Sequence, residues 1–191
     1  MSILVTGGTG ALGYHILSSL CGTSHELFSF SDEQPQPWQT VEGVTYLNGD
    51  LLSSKDVIEM LQKVNPTHIY HLASQSSVGI SYMKPNETLN INLMGTQNLL
   101  EAARQVTPKA KIMLLSSSEI YGRTDNNLTY LHKEVDPPNP LTPYATSKAC
   151  MELLGNQFRN ANGLHVVFVR PFYFTGPHHS RRFVRPSIAY Q

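Results

Sequence analysis

Apolar and polar positions along this chain follow two periods in turn. Six short runs rich in Val, Ile, Leu and Phe, at 3–6, 26–30, 44–47, 68–72, 111–116 and 165–170, are close to continuously apolar. That is the pattern of parallel strands covered on both faces. Between them, apolar residues recur at helical spacing over 11–21, 53–64, 86–105 and 144–160. Strands alternating with helices imply right-handed crossovers, hence an α/β fold with a doubly wound parallel sheet of order 3-2-1-4-5-6. Gln34-Pro35-Gln36-Pro37 and the proline-rich stretch 137–143 read as loops. Past Arg170 the periodicity fades until Ser187, so the sheet is complete and little chain remains to build a second lobe.

The first strand runs directly into Thr6-Gly7-Gly8-Thr9-Gly10-Ala11-Leu12-Gly13, which opens the first helix. Gly7, Gly10 and Gly13 permit a tight turn, close approach of backbone to a phosphate, and close helix–strand packing. The helix N-terminus behind them presents free N–H groups to an anion. A merely flexible turn is the alternative. Its position between strand one and helix one favours a dinucleotide site and a Rossmann fold, with 1–170 as the dinucleotide-binding domain and 171–191 as the start of a substrate lobe that is mostly absent.

Charge narrows the partners. Lys plus Arg and Asp plus Glu number 14 each, so the balance is zero and nucleic acid is not an expected partner. After Glu152 there are Arg159, Arg170, Arg181, Arg182 and Arg185 and no carboxylate. This is either a solvated basic tail or a seat for a phosphorylated substrate. Cys21 and Cys150 fall within helical patterns and read as reduced, buried thiols. There is no signal-peptide pattern and no apolar run of bilayer-spanning length, so a soluble, cytoplasmic protein without membrane attachment is expected. Adjacent His178 and His179 point apart with no carboxylate following, so no metal is expected and a loop over a substrate cleft is the better reading.

Tyr144 and Lys148 stand one helical turn apart on one face. A cation held near the phenol favours the phenolate and makes tyrosine a usable base. Ser116, Ser117 and Ser118 end the fifth strand, where open α/β sheets place their ligands. A hydroxyl there can bind the substrate oxygen that Tyr144 deprotonates, although serines ending a strand also serve as turn formers.

With these three motifs in this order, the chain resembles the extended short-chain dehydrogenase/reductase superfamily of nucleotide-sugar epimerases and dehydratases. The resemblance runs from residue 1 to the end. It rests on Thr6–Gly13, Gly49-Asp50-Leu51, His71-Leu72-Ala73-Ser74, Asn92 with Gly95-Thr96, Ser116–Gly122, Tyr144–Lys148, Arg170-Pro171-Phe172 and Gly176-Pro177. Ala73–Val78 and the final segment look most like the GDP-mannose 4,6-dehydratases and the neighbouring 4-keto-6-deoxymannose reductases. The resemblance implies Ser117, Tyr144 and Lys148 as catalytic residues, with Glu119 as the base for the sugar C5 proton in a dehydratase. It implies cofactor contacts from Gly7, Gly10, Ala11, Leu12, Gly13, Asp32, Asp50, Leu51, Leu72, Ala73, Ser74, Asn92, Tyr144, Lys148 and Pro171. It assigns substrate contacts to Ser76, Ser117, Tyr173 and Arg181.

The substrate implied is a nucleotide sugar, with a GDP-hexose favoured, and the reaction begins with oxidation at C4. Epimerase, reductase and a cofactor-binding half without turnover remain as alternatives. In relatives, the long helix from residue 86 and the one from Tyr144 form a dimer contact, for which Leu89, Leu93, Leu99, Leu100, Met151 and Leu154 are candidates. Core packing explains those six equally well. Three positions depart from the family pattern. Tyr173 replaces the asparagine expected after Arg-Pro-Phe. Ser31 takes the place of the acidic residue ending strand two, with Asp32 one position later. The family is also considerably longer at its C-terminus. No arginine stands near Asp32 to hold a 2′-phosphate, so NAD is favoured and NADP is the alternative.

Overall fold

A computed structural model describes residues 1–123 and 131–179. Strands β1 (Ser2–Thr6), β2 (Glu26–Ser31), β3 (Val44–Asn48), β4 (His68–His71), β5 (Lys111–Leu115) and β6 (His165–Val169) form one parallel sheet of order 3-2-1-4-5-6, as the alternation predicts. Helices are α1 (Ala11–Leu20), α2 (Ser54–Val64), α3 (Val78–Met83), α4 (Pro85–Leu89), α5 (Gly95–Val106) and α6 (Pro143–Asn162). One face of the sheet buries Leu4, Phe30, Ile69, Ile112, Leu114 and Val166 in a large core with residues of α2, α5 and α6. The other buries Ile3, Val5 and Leu27 around Leu17 of α1. Alternate residues of β1–β5 thus serve opposite cores, which is why those runs lack a polar period.

Caps set the helix bounds. Ser53 and Thr142 accept hydrogen bonds from Asp56 and Ala145 at the starts of α2 and α6, and Pro143 occupies the first turn of α6. Asn65 and Gly163, both left-handed, end them. The predicted helix over 86–105 is not continuous: a π turn at Asn90–Met94 separates α4 from α5. The order reverses between β1 and β4, so the carboxyl ends of β1, β4 and β5 open onto one crevice.

Candidate active site at the carboxyl edge of the sheet

The Gly-rich turn is packed to its limit. Gly7 has φ +70°, and a Cβ there would meet the Ala73 backbone at 2.8 Å. A Cβ on Gly13 would fall onto the Gly7 carbonyl and the Gly8 backbone, so Gly13 is what lets α1 approach β1. At Gly10 the nearest atom is the Gly7 carbonyl oxygen, at 3.2 Å. Gly10 caps α1 without a side-chain hydrogen bond, and the first turn carries no carboxylate. In α2, by contrast, Ser53 and Asp56 occupy the same positions. An N-terminus left bare in this way suits a pyrophosphate. Ala11 and Leu12 begin α1 beside it.

Ser117, Glu119, Tyr144 and Lys148 come together at the end of β5. Ser117 is buried and its Oγ accepts the Glu119 N–H at 3.2 Å, opening a 3-10 turn over Ser118–Tyr121. Ser117 also hydrogen-bonds the Tyr144 side chain. Lys148 is buried below, with Nζ donating to the Leu115 carbonyl at 2.8 Å and lying 5.8 Å from the centre of the Tyr144 ring. The expected lowering of the phenol's pKa is not realised. Burial raises it above 10.0, the Ser117 hydrogen bond lowers it, and the Glu119 charge raises it further. Lys148 cannot offset this, because its own burial pulls its pKa down to about 7.

Around this pair, Leu72, Ala73 and Ser74 follow β4 into the crevice, and Leu72 donates its N–H to the Thr6 carbonyl. Asn92, in the π turn, donates Nδ2–H to the Gln75 carbonyl (3.0 Å) and to Ser147 Oγ (2.8 Å). Asp50 is exposed and caps its own turn by accepting from Leu52, whereas Leu51 turns into the core beside Gly95. Asp32 is exposed just past β2, and Ser31 Oγ accepts from Thr9. Ser76 is exposed between β4 and α3. The Pro171 carbonyl accepts the Ser118 N–H, and Tyr173 Oη donates to Glu119 Oε1 at 2.6 Å. From there the chain crosses to α1, where His178 stacks on Trp38 with centroids 5.0 Å apart and meets Tyr14 edge-on. Arg181 lies outside the described residues.

The sequence matches the GDP-mannose 4,6 dehydratase family over residues 4–191. The chain belongs to that family. A GDP-6-deoxy-D-mannose reductase of Pseudomonas aeruginosa is 31% identical over 189 residues, a match covering 99% of this chain and 57% of that protein. A GDP-mannose 4,6-dehydratase of Sordaria araneosa is 29% identical over 197 residues, 100% of this chain and 36% of that one. Among solved structures, the UDP-glucose 4-epimerase of Thermus thermophilus in complex with NAD superposes with a TM-score of 0.82 at 33% identity, covering 89% of this chain and 54% of that one. The chain therefore spans between about a third and about three-fifths of the length of these relatives.

Within this GDP-mannose 4,6-dehydratase family member, several sequence expectations need correction. Arg170 is not an open seat for phosphate. It forks onto buried Glu152 at 2.9 and 2.6 Å and donates to Tyr121 Oη and the Glu134 carbonyl. Arg159 packs over the Phe168 ring and hydrogen-bonds Asn156. Leu99, Leu100 and Met151 are fully buried in the core and are unavailable to a dimer contact, while Leu154 packs against that core. Cys21 is exposed because it is the C-cap, just past the end of α1, and Cys150 is half-buried. Among the described residues no helix is long and apolar enough to cross a membrane, and no cluster of three or more His, Cys, Asp or Glu side chains could hold a metal ion. Sequence reasoning assigned no role to Thr6, His71, Thr96 or Ser147, which are buried polar residues. The signal was present: His71 shares strand parity with buried Ile69.

Proposed function

We propose that this chain is the dinucleotide-binding part of a GDP-mannose 4,6-dehydratase-type enzyme, with NAD at the Gly-rich turn and a GDP-hexose as substrate. Residues 1–170 are the cofactor unit and 171–191 the start of the substrate lobe. The bare N-terminus of α1 over the Gly7–Gly10 cradle supports the cofactor assignment. Asp32 serves the adenosine ribose in this reading, and Asp50 and Leu51 the adenine. A nicotinamide dinucleotide held there supplies the hydride acceptor for oxidising the sugar C4 hydroxyl. Tyr144, as phenolate, takes that hydroxyl's proton, and Ser117 holds the same oxygen. Lys148 reaches the cofactor ribose, and its charge then favours the phenolate. Ser76, Tyr173 and Arg181 contact the substrate.

The observation that carries the dehydratase reading is Glu119, held 2.6 Å from Tyr173 Oη and close enough to Tyr144 to raise its pKa. A carboxylate beside the C4-directed phenol supports this reading, in which Glu119 takes the C5 proton that a 4-keto group acidifies. The test is solvent-deuterium incorporation at C5 of a GDP-hexose by the full-length protein. Exchange in the parent and its loss in Glu119→Gln, with oxidation at C4 retained, is the expected result. Absence of exchange in the parent rejects the dehydratase. A 4-epimerase is the second reading, favoured by the 33% identity to the Thermus enzyme, and it predicts inversion at C4 that survives Glu119→Gln.

A further inference from the structure

One buried hydrogen-bond chain runs beneath the site, and its inner members, Thr6, His71 and Thr96, have none of the roles above. The Ala73 N–H donates to Thr6 Oγ1 at 3.3 Å, and Thr6 Oγ1 lies 2.7 Å from His71 Nδ1. On the other side of the ring, His71 Nε2 lies 3.0 Å from Thr96 Oγ1, and Thr96 Oγ1 donates to the Asn92 carbonyl at 2.7 Å. Thr6, Thr96, His71 and Asn92 are all nearly inaccessible to water.

The protons in this chain can be assigned. Thr96 has one hydroxyl hydrogen, and the Asn92 carbonyl takes it, so Thr96 must accept from the ring and Nε2 must carry a proton. Nδ1 is then a bare acceptor, which receives the Thr6 hydroxyl hydrogen, and Thr6 in turn accepts from Ala73. The reverse tautomer would aim Nδ1–H at an oxygen already accepting from Ala73. The Thr6 proton would then be left without an acceptor, a cost that buried groups avoid. An imidazolium is disfavoured as well, since burial and the charge of Lys148 pull the pKa of His71 down to about 3.

The two ends of the chain matter for the site. Ala73 is the backbone that Gly7 lies against. Asn92 uses its side chain to clamp Gln75 at both N–H (2.8 Å) and carbonyl, and to hold Ser147, whose Oγ donates to the Tyr144 carbonyl at 2.7 Å. We propose that His71, fixed as its Nε2–H tautomer, is a positioning residue that locks the cofactor-side turn at Gly7 and Ala73 to the π turn and, through Asn92 and Ser147, to the Tyr144 helix. A π turn at this point fits such a role, because it re-aims Asn92 relative to a regular helix.

The inference rests on the NAD reading only for its functional consequence, so the test has two arms on the 191-residue chain. In the first, long-range proton–nitrogen NMR of the 15N-labelled chain without cofactor reads the ring directly. Nε2 protonated and Nδ1 bare, unchanged between about pH 6 and pH 8, is expected; the reverse tautomer or a titrating ring overturns the proposal. In the second, Thr96→Val removes the acceptor for Nε2–H while keeping the volume, and Thr96→Ser restores the hydroxyl. Thr96→Val is expected to shift the Ala73 amide resonance and to weaken NAD affinity by calorimetry about tenfold, and Thr96→Ser to recover both. An unmoved Ala73 amide, or full NAD affinity in Thr96→Val, overturns it. Should the parent chain bind no NAD at all, the proposed function fails, and the tautomer and the Ala73 resonance still decide the role of His71. Should Thr96→Val fail to fold, the parent's tautomer decides.

Discussion

Lys148 is buried with its ammonium on a main-chain carbonyl, and its pKa falls from 10.5 to about 7. Because the folded value lies below the unfolded one, the unfolded chain binds more protons across that window. Stability of the cofactor-free chain should therefore rise with pH from about 7 to 10.5, with the burial penalty at its largest below 7. Lys148→Met keeps the apolar stem without the charge and should flatten that rise, as urea unfolding at a series of pH values would measure; an unchanged slope contradicts the assignment. Glu119→Gln should move the Tyr144 titration downward, since the Glu119 charge raises it, and the part of the phenolate absorbance titration that Tyr144→Phe removes reads this among the nine tyrosines. Tyr144→Phe should leave NAD binding intact while turnover of the full-length enzyme falls by orders of magnitude. That Ser117, Tyr144 and Lys148 meet at the end of β5 was legible from a strand end and a one-turn spacing. Their protonation was not, because it depends on depth of burial, and a spacing says nothing of depth. Arg170 was misread for a related reason: its partner Glu152 is 18 residues away in sequence and meets it only after α6 packs on β6.

Gly10 and Gly13 of the opening turn look alike in sequence but differ in what surrounds them. Gly10→Ala meets little beyond one carbonyl oxygen and should cost about 1 kcal/mol or less in stability, yet weaken NAD binding by crowding the pyrophosphate. Gly13→Ala drives a methyl into backbone and should cost on the order of 3 kcal/mol. Thermal unfolding and calorimetry on the two variants separate the roles; equal loss of stability in both would refute the distinction. Strands were legible nearly to the residue, because each is a short apolar run and those of β1–β5 serve two cores at once. The helices were less so. Six-residue α3 is too short to show a period, and its cap at Ser77 looks like loop chemistry. The π turn leaves the apolar spacing of 86–105 almost undisturbed, so a single helix was the natural reading.

The sheet is dressed unevenly. Among the described residues α1 is the helix on the second face, and it packs against β1. Toward the β6 edge, Val167 and Val169 remain 58% and 43% exposed, and Phe172 and Phe174 follow them. An apolar edge strand of this kind invites association. The 191-residue chain should therefore sediment as a concentration-dependent mixture that Val167→Lys shifts toward monomer, with stability changed by no more than about 0.5 kcal/mol. A monodisperse parent would count against this. The fork of Arg170 on Glu152 has a consequence of another kind. Arg170 also reaches Tyr121 and the Glu134 carbonyl, so the point where the chain quits its last strand is moored to a helix, a turn and a loop at once. Pro171 and Tyr173, the next residues to grip the 3-10 turn, inherit their bearing from that mooring. Whatever polypeptide follows leaves the sheet on a set heading, and the aim of Glu119 is steered from a salt bridge on the far side of the 3-10 turn.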